Sequence, residues 1–155
     1  MNAFAELYHA VQAAIASKRL GKPIFVRYLL SGPDKAPVVS RLAPIAAVVR
    51  GWLGQTLDSI HAVGSAASGQ VSLTLRFREG GSALVSVSRS QRLGDGVDLL
   101  VLGNHGALYH DAGHAALGFE PAALADDPLE PALVAAIDKA LRSGKPEPVK
   151  TGDKS

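Results

Sequence analysis

The chain has 155 residues, 47% of them hydrophobic, a length and composition that suit one domain with its own core. The 16 basic and 14 acidic residues are interleaved and leave a net charge of +2, which argues against a nucleic-acid partner. No apolar run approaches the roughly 20 residues of a membrane-spanning helix, and the lack of cysteine excludes disulfides and thiolate ligands. Because the N-terminus has no signal-peptide pattern, we expect a cytoplasmic protein with no membrane partner.

The N-terminal segment predicts a helix followed by a strand. Apolar residues recur at helical spacing between Phe4 and Ile15, and Gly21 with Pro23 would end the helix. We therefore expect this helix from about residue 3 to about residue 20. The apolar run at residues 24–30 has β-branched and aromatic content and follows that stop, so it predicts the first strand.

A second helix is predicted to begin at Pro44 and to end before Gly54. Pro44 suits the first turn of a helix, and apolar side chains, including the only tryptophan, Trp52, recur at helical spacing after it. The preceding stretch, residues 35–41, shows no clear period and contains Pro37, so we expect it to be a connection.

Residues 71–89 carry the clearest strand pattern in the chain. Apolar and polar residues alternate on both sides of a turn at Glu79-Gly80-Gly81-Ser82, which predicts an antiparallel hairpin. Because the side-chain period of a strand is two, one face of the hairpin meets the core while the other remains open. The side chains expected on this open face, and in any interface that it forms, include Ser72, Thr74, Arg76, Ser86 and Ser88.

Further strands are predicted at residues 57–63, 97–102 and 107–109, which gives a sheet of about six strands. Residues 120–125 are compatible with one helical turn, and Asp127-Pro128-Leu129-Glu130 predicts the start of a last helix that ends at Gly144. We expect a folded domain of residues 1–144 and a flexible tail of residues 145–155. The predicted fold class is α+β, with an open, mostly antiparallel sheet and helices packed on one face.

Few patterns in the sequence indicate chemistry. No Gly-x-Gly-x-x-Gly is present, and Gly94-Asp95-Gly96 lies between two predicted strands, where a turn explains both glycines. The densest group of metal-ligand residue types is His105, His110, Asp111 and His114. These residues could bind zinc or a similar ion, but their spacing matches no fixed motif, and a solvated loop is the simpler interpretation.

Other polar residues have a simple structural interpretation. His61 lies in a predicted strand and His9 on a predicted helix, where a hydrogen-bonded structural role is typical. Arg76, Arg78 and Arg89 could bind an anionic ligand, but a polar sheet surface that faces solvent or an interface explains them more simply.

Five stretches of the sequence follow one another in an informative order. They are residues 4–27 with Ala-Ser-Lys-Arg-Leu-Gly-Lys-Pro-Ile-Phe-Val-Arg, residues 48–62 with Arg-Gly-Trp-Leu-Gly, the hairpin at residues 71–87, residues 102–108 with Leu-Gly-Asn-His-Gly-Ala-Leu, and residues 136–146 with Arg-Ser-Gly-Lys-Pro. In this order they resemble the first helix, the tryptophan helix, the hairpin, a turn and the last helix of the C-terminal domain of the Gfo/Idh/MocA oxidoreductases. The resemblance covers nearly the whole chain.

The resemblance also indicates what the sequence lacks. In that family an N-terminal Rossmann domain binds NAD(P) and supplies the lysine of a Glu-Lys-Pro motif, which is absent from this sequence. The family also usually places a histidine and an aspartate before the tryptophan helix, whereas residues 41–47 read Arg-Leu-Ala-Pro-Ile-Ala-Ala. We therefore name no catalytic residue, and we expect NAD(P) to be involved only if a separate Rossmann subunit binds it.

These expectations lead to three hypotheses of different classes. Because the family uses the exposed face of this sheet for subunit association, the resemblance favours a non-catalytic subunit that forms a homodimer or binds a partner protein. The alternative is a component of an NAD(P)-dependent oxidoreductase that acts on a sugar-like alcohol, with its Rossmann domain on a separate chain. A third is a stand-alone binder of a small polar ligand.

Overall fold

A computed structural model describes residues 3–32, 37–65, 67–89, 96–112 and 130–149 of the chain. The helices and strands within these ranges are, in chain order, α1 (Ala3–Ala16), β1 (Pro23–Ser31), α2 (Val38–Leu53), β2 (Leu57–Ser65), β3 (Gln70–Phe77), β4 (Ser82–Ser88), β5 (Gly96–Gly103), β6 (Ala107–Ala112), α3 (Glu130–Ser143) and β7 (Glu147–Pro148).

The strands form one open sheet in the order β6-β5-β1-β4-β3-β2-β7. β1 runs parallel to β4, and the other neighbouring strands are antiparallel. α2 packs across β1, β4 and β3, while α3 packs against β2 and α2. The predicted fold class, α+β with an open, mostly antiparallel sheet and helices on one face, is confirmed.

The predicted hairpin is present as β3 and β4. Leu73 lies opposite Val85, and Ser72 lies opposite Ser86, so the two faces alternate as expected. The side chains that the hairpin buries on the helix side are Val71, Leu73, Leu75, Phe77, Ala83, Val85 and Val87. Burial of a large aliphatic or aromatic side chain contributes about 1.5–3 kcal/mol, so this face of the hairpin is a major part of the core.

The sheet has one strand more than the six that were predicted, because a two-residue strand, β7, follows the last helix. Glu147 and Pro148 pair with β2, and the Val149 amide donates a hydrogen bond to the Asp58 carbonyl at 3.0 Å. The Val149 side chain is buried. Residues 147–149 of the segment expected as a tail thus lie against the sheet, while residues 150–155 lie outside the described residues.

α2 begins at Val38 and not at Pro44 as predicted, and part of the expected connection is therefore helical. Pro44 lies inside the helix, where a proline removes one backbone hydrogen bond and usually costs about 3 kcal/mol. An apolar stripe that starts at Val38 offsets this cost, because its side chains are at most 2% exposed. The members of this stripe are Val38, Leu42, Ile45, Val49 and Trp52.

Left-handed residues follow the first two helices. Gly54 has a φ of 63° and donates its N–H to the Arg50 carbonyl at 3.0 Å, which confirms the predicted end of α2. α1 ends at Ala16 and not near residue 20, because Lys18 takes a left-handed φ of 60°. Gly21 is also left-handed, with a φ of 68°, but it lies in the connection to β1.

The β5–β6 turn fixes the connection between α1 and β1. The Lys22 amide donates to Asn104 Oδ1 at 2.8 Å, and the Asn104 amide donates to the Lys22 carbonyl at 3.1 Å. The His105 amide donates to the Leu20 carbonyl at 3.0 Å. A Cβ atom at Gly103 would overlap the Leu20 carbonyl oxygen, so this close backbone approach requires glycine.

The last helix is described from Glu130, and Gly144 follows it with a φ of 63°, as predicted. The helical turn expected at residues 120–125, the first three residues of the capping motif at 127–130, and Gly94-Asp95 lie outside the described residues. Of the helices described, none has both the length and the hydropathy needed to cross a membrane.

Gln55 connects α2 to the β3–β4 turn and to the start of β1. Its Oε1 accepts a hydrogen bond from the Gly81 amide at 2.8 Å, and its Nε2 donates to the Pro23 carbonyl at 3.5 Å. The neighbouring Thr56 donates its amide to Glu79 Oε2 at 2.9 Å and its hydroxyl to Glu79 Oε1 at 3.1 Å. The hydrogen bond from the Thr56 amide lowers the pKa of Glu79 below its usual value.

We expect the substitution Gln55→Ala to lower the free energy of unfolding by roughly 1–3 kcal/mol, because the buried Gly81 amide would lose its acceptor. Gln70→Ala is the matched control, since Gln70 is exposed at the start of β3. Urea denaturation of both variants measures the difference. Equal unfolding free energies would show that the Gln55 hydrogen bond does not stabilise the fold.

Candidate functional site: the open face of the sheet

The face of the sheet opposite the helices, called here the open face, carries the alternate residues of each strand. On β1, for example, Val26 and Leu30 are buried on the helix side, while Arg27 and Leu29 between them are half-buried. From one edge to the other, the open face includes Ala107, Tyr109 and Asp111 of β6, Asp98, Leu100 and Leu102 of β5, Phe25, Arg27 and Leu29 of β1, Ser82, Leu84, Ser86 and Ser88 of β4, Ser72, Thr74 and Arg76 of β3, and Ser59, His61 and Val63 of β2.

The five residues predicted for an interface lie together on the open face, on the neighbouring strands β3 and β4. The Ser72 hydroxyl donates a hydrogen bond to Ser86 Oγ at 2.9 Å. Ser86 and Ser88 are only 8% and 5% exposed. Ser72, Thr74 and Arg76 therefore offer most of the accessible surface in this group.

A charged network lies on the same face, across β1, β5 and β6. Arg27 Nη2 and Nε lie 2.8 and 3.2 Å from Asp98 Oδ1, and the Tyr109 hydroxyl donates to Asp98 Oδ2 at 2.9 Å. The side chains of Arg27 and Asp98 are 33% and 29% exposed. Both carboxylate oxygens of Asp98 are thus held by donors on neighbouring strands, which fixes the network in one geometry.

The hydrogen bond to Asp98 raises the pKa of the Tyr109 hydroxyl, because ionising the phenol would remove the donor and place two negative charges together. Burial and the nearby carboxylate of Asp111 act in the same direction, and Arg27 opposes them. The Tyr109 hydroxyl is thus the donor in this hydrogen bond to Asp98.

Apolar side chains surround this network. Leu29, Leu84 and Leu100 occupy the strand positions next to it, and Leu102 and Tyr109 are 38% and 59% exposed. Aromatic, arginine and aliphatic side chains in one patch are typical of the centre of a protein–protein interface.

The sequence pattern did not reveal this part of the open face. Arg27 and Leu29 lie in a run that we interpreted as apolar throughout, although Arg27 interrupts it. Asp98 is a similar signal within β5, since a charged residue in a buried strand usually marks its solvent side. Arg27 and Asp98 are 71 positions apart in the sequence, so only the strand order brings them together.

The histidines considered as metal ligands are not gathered into a site by the described residues. His105 lies in the β5–β6 turn, and His110 lies on β6 opposite Leu99, on the helix side of the sheet. His114 lies outside the described residues. Within the ranges that the structure describes, no group of three or more His, Cys, Asp or Glu side chains is placed to hold a metal ion.

The stretch in which the resembling family usually has its histidine and aspartate lies inside α2. Leu42, Ala43, Pro44, Ile45 and Ala46 are buried there, and Arg41 is 4% exposed. These apolar side chains cannot transfer a proton, so the structure adds no catalytic residue at this position.

A groove open to solvent lies between the start of α2, the end of β2 and the end of α3. It has a volume of about 460 Å³ and is lined by Val39, Gly64, Ser65, Asp138, Leu141 and Arg142. The Arg142 Nε donates to the Asp138 carbonyl at 3.3 Å, within the helix itself. The groove carries fewer convergent polar groups than the open face and is the weaker candidate site.

Comparison with known proteins gives structural but no sequence matches. No protein-family model matches the chain, and no curated protein does. Among solved structures, scyllo-inositol dehydrogenase from Lactobacillus casei with bound NAD(H) and scyllo-inositol is 12% identical, with a TM-score of 0.74, over 93% of this chain and 62% of its own. Myo-inositol dehydrogenase from Corynebacterium glutamicum is 15% identical, with a TM-score of 0.74, over 96% of this chain and 63% of its own.

A probable dehydrogenase from Thermotoga maritima is similar to the same extent: 16% identical, with a TM-score of 0.70, over 94% of this chain and 62% of its own. The chain thus spans less than two thirds of the length of the dehydrogenases that it matches. Over nearly all of its own length, it has the fold found in Gfo/Idh/MocA-type inositol dehydrogenases, which confirms at the level of the fold the resemblance predicted from the sequence.

Proposed function

We propose that this chain is an association domain that forms a homodimer through the open face of its sheet and is non-catalytic alone. The observation that carries this proposal is the composition of that face: a fixed Arg27–Asp98–Tyr109 network surrounded by half-buried leucines. A twofold contact uses the same patch on both subunits, so one face is sufficient. A standard interface would bury on the order of 1,600 Å² in total.

The composition of the open face favours its burial against a second copy over permanent exposure to water. Antiparallel sheets often leave one face to solvent, but such faces are usually covered by polar side chains. Here Leu29 of β1, Leu84 of β4 and the leucines of β5 form an apolar patch beside the hydroxyl side chains of β3 and β4. Patches of this kind on soluble proteins commonly mark interaction sites.

We also propose the cytoplasm as the compartment, on the basis of the cysteine-free sequence.

We expect Thr74→Arg combined with Leu102→Arg to give a folded monomer, because each subunit would carry two added charges into the interface. The matched control is Ala13→Arg combined with Ala16→Arg, which adds the same charge at exposed positions of α1. Light scattering and native mass spectrometry at micromolar concentration measure the mass, and circular dichroism checks the fold. A monomeric unmodified chain would reject the homodimer, and a dimer that survives the Thr74 and Leu102 substitutions would reject this face as its site.

The alternative function is that of a component of an NAD(P)-dependent oxidoreductase acting on a sugar-like alcohol, with the Rossmann domain on a separate chain. The similarity to structures of inositol dehydrogenases, one of them with bound NAD(H) and scyllo-inositol, supports it. Native mass spectrometry of the complex purified from its own cell distinguishes the two functions. A stoichiometric second chain with a dinucleotide fingerprint would favour the alternative, and a complex of this chain alone would favour the association domain.

Under both functions, we expect the isolated chain to bind neither NAD nor NADP at micromolar concentrations. The sequence has no glycine-rich turn from a strand to a helix, the feature that holds a pyrophosphate at a helix N-terminus. Isothermal calorimetry measures this directly, with a dehydrogenase that binds NAD as the positive control. A saturable heat signal with either dinucleotide would contradict the prediction.

A further inference from the structure

The junction between β1 and β4 divides the open face into two unlike halves of three strands each, if the short β7 is left aside. On β1, β5 and β6 most side chains are large, and we call this the large-residue half: Phe25, Leu29, Leu100, Leu102 and Tyr109. On β4, β3 and β2 most side chains are small hydroxyls, and we call this the hydroxyl half: Ser59, Ser72, Thr74, Ser82, Ser86 and Ser88. The larger apolar or aromatic side chains in this half are Leu84, His61 and Val63.

The two halves also differ in charge. Asp98 and Asp111 lie directly opposite each other on β5 and β6, both in the large-residue half. Arg27, in the same half, forms its ion pair with Asp98. Arg76 is an exposed cation in the hydroxyl half. Like charges brought together across an interface cost energy, so electrostatics favours pairing each half with the other half of a second copy.

We infer that the twofold axis of the homodimer runs parallel to the strands, along the β1–β4 junction, so that the large-residue half of each copy packs over the hydroxyl half of the other. This inference rests on the proposed homodimer. The twofold axis of a face-to-face pair lies in the plane of the interface. An axis along the strands exchanges the two halves, whereas an axis across the strands places each half over itself.

Side-chain size favours the axis along the strands. Sheets that pack face to face are about 10 Å apart, and large side chains fill this space well when small ones lie opposite them. Leu100 and Thr74 lie in the same cross-strand row, each on the second strand from the junction, so Leu100 packs over the partner's Thr74. An axis across the strands would crowd the leucines in one half and leave voids between serines in the other.

The same symmetry predicts which edges meet. Ala107 on β6 and Ser59 on β2 lie in one row, each on the third strand from the junction. With the axis along the strands, Ala107 of one copy lies over Ser59 of the other. Two copies of Ala107 are then separated by five strand spacings, about 24 Å.

Chemical cross-linking tests this arrangement, because the native chain has no cysteine and each variant would carry one thiol. Ala107→Cys and Ser59→Cys chains are allowed to exchange subunits and are treated with a short bis-maleimide that spans about the 10 Å between packed sheets. We expect a cross-linked dimer in the mixture, and at least tenfold less product from either variant alone. Ala13→Cys, exposed on α1, is the matched control and is expected to give none.

Native mass spectrometry of each variant before cross-linking separates the possible failures. If both the variants and the unmodified chain are monomers, the proposed homodimer is wrong, and the proposed axis with it. A dimer in which Ala107→Cys links to itself, or in which the mixture gives no product, would overturn the axis while leaving the homodimer in place. Mass analysis of the digested product identifies which two positions are joined.

Discussion

The parallel pairing of β1 with β4 is the contact on which the rest of this structure depends. It joins the β5–β1 side of the sheet, where the Arg27 network lies, to the β4–β3–β2 side built from the hairpin. Parallel neighbours need a long crossover, and here the chain passes through α2, β2 and β3 before it returns as β4. α2 consequently lies across both paired strands and buries its apolar stripe on them, and no helix in the described part of the chain packs on the opposite face of the sheet.

Local patterns in the sequence predicted most of the elements and little of their arrangement. The period-two alternation of residues 71–89 defined the hairpin and its two faces, because strand periodicity is a local property. The early start of α2 was missed since Pro44 is a strong local signal for a first turn, whereas the benefit of burying Val38 and Leu42 depends on strands elsewhere in the chain. The pairing of Glu147 and Pro148 with β2 could not be predicted either, because it also depends on a strand elsewhere in the chain and not on the local sequence.

The open face shows the same division between local and non-local information. Ser72, Thr74 and Arg76 were identified from alternation within one hairpin, and the structure places them on the expected side. The Arg27–Asp98–Tyr109 network requires β5 to lie between β1 and β6, in register with both. No short motif encodes that order. The one local signal of this network is an isolated charge within an apolar strand, such as Arg27 in β1.

The hydrogen-bonding state of the open face explains how a surface with many polar groups can be buried by a second copy. A buried donor or acceptor without a partner costs about 1–3 kcal/mol, and an unpaired charge costs more. Ser72 already donates to Ser86, and Asp98 already accepts from Arg27 and Tyr109 within one subunit. For these groups, pairing would therefore remove water after their hydrogen bonds have already formed within one subunit. Because these contacts also fix the side chains before association, less conformational entropy is lost when the interface forms.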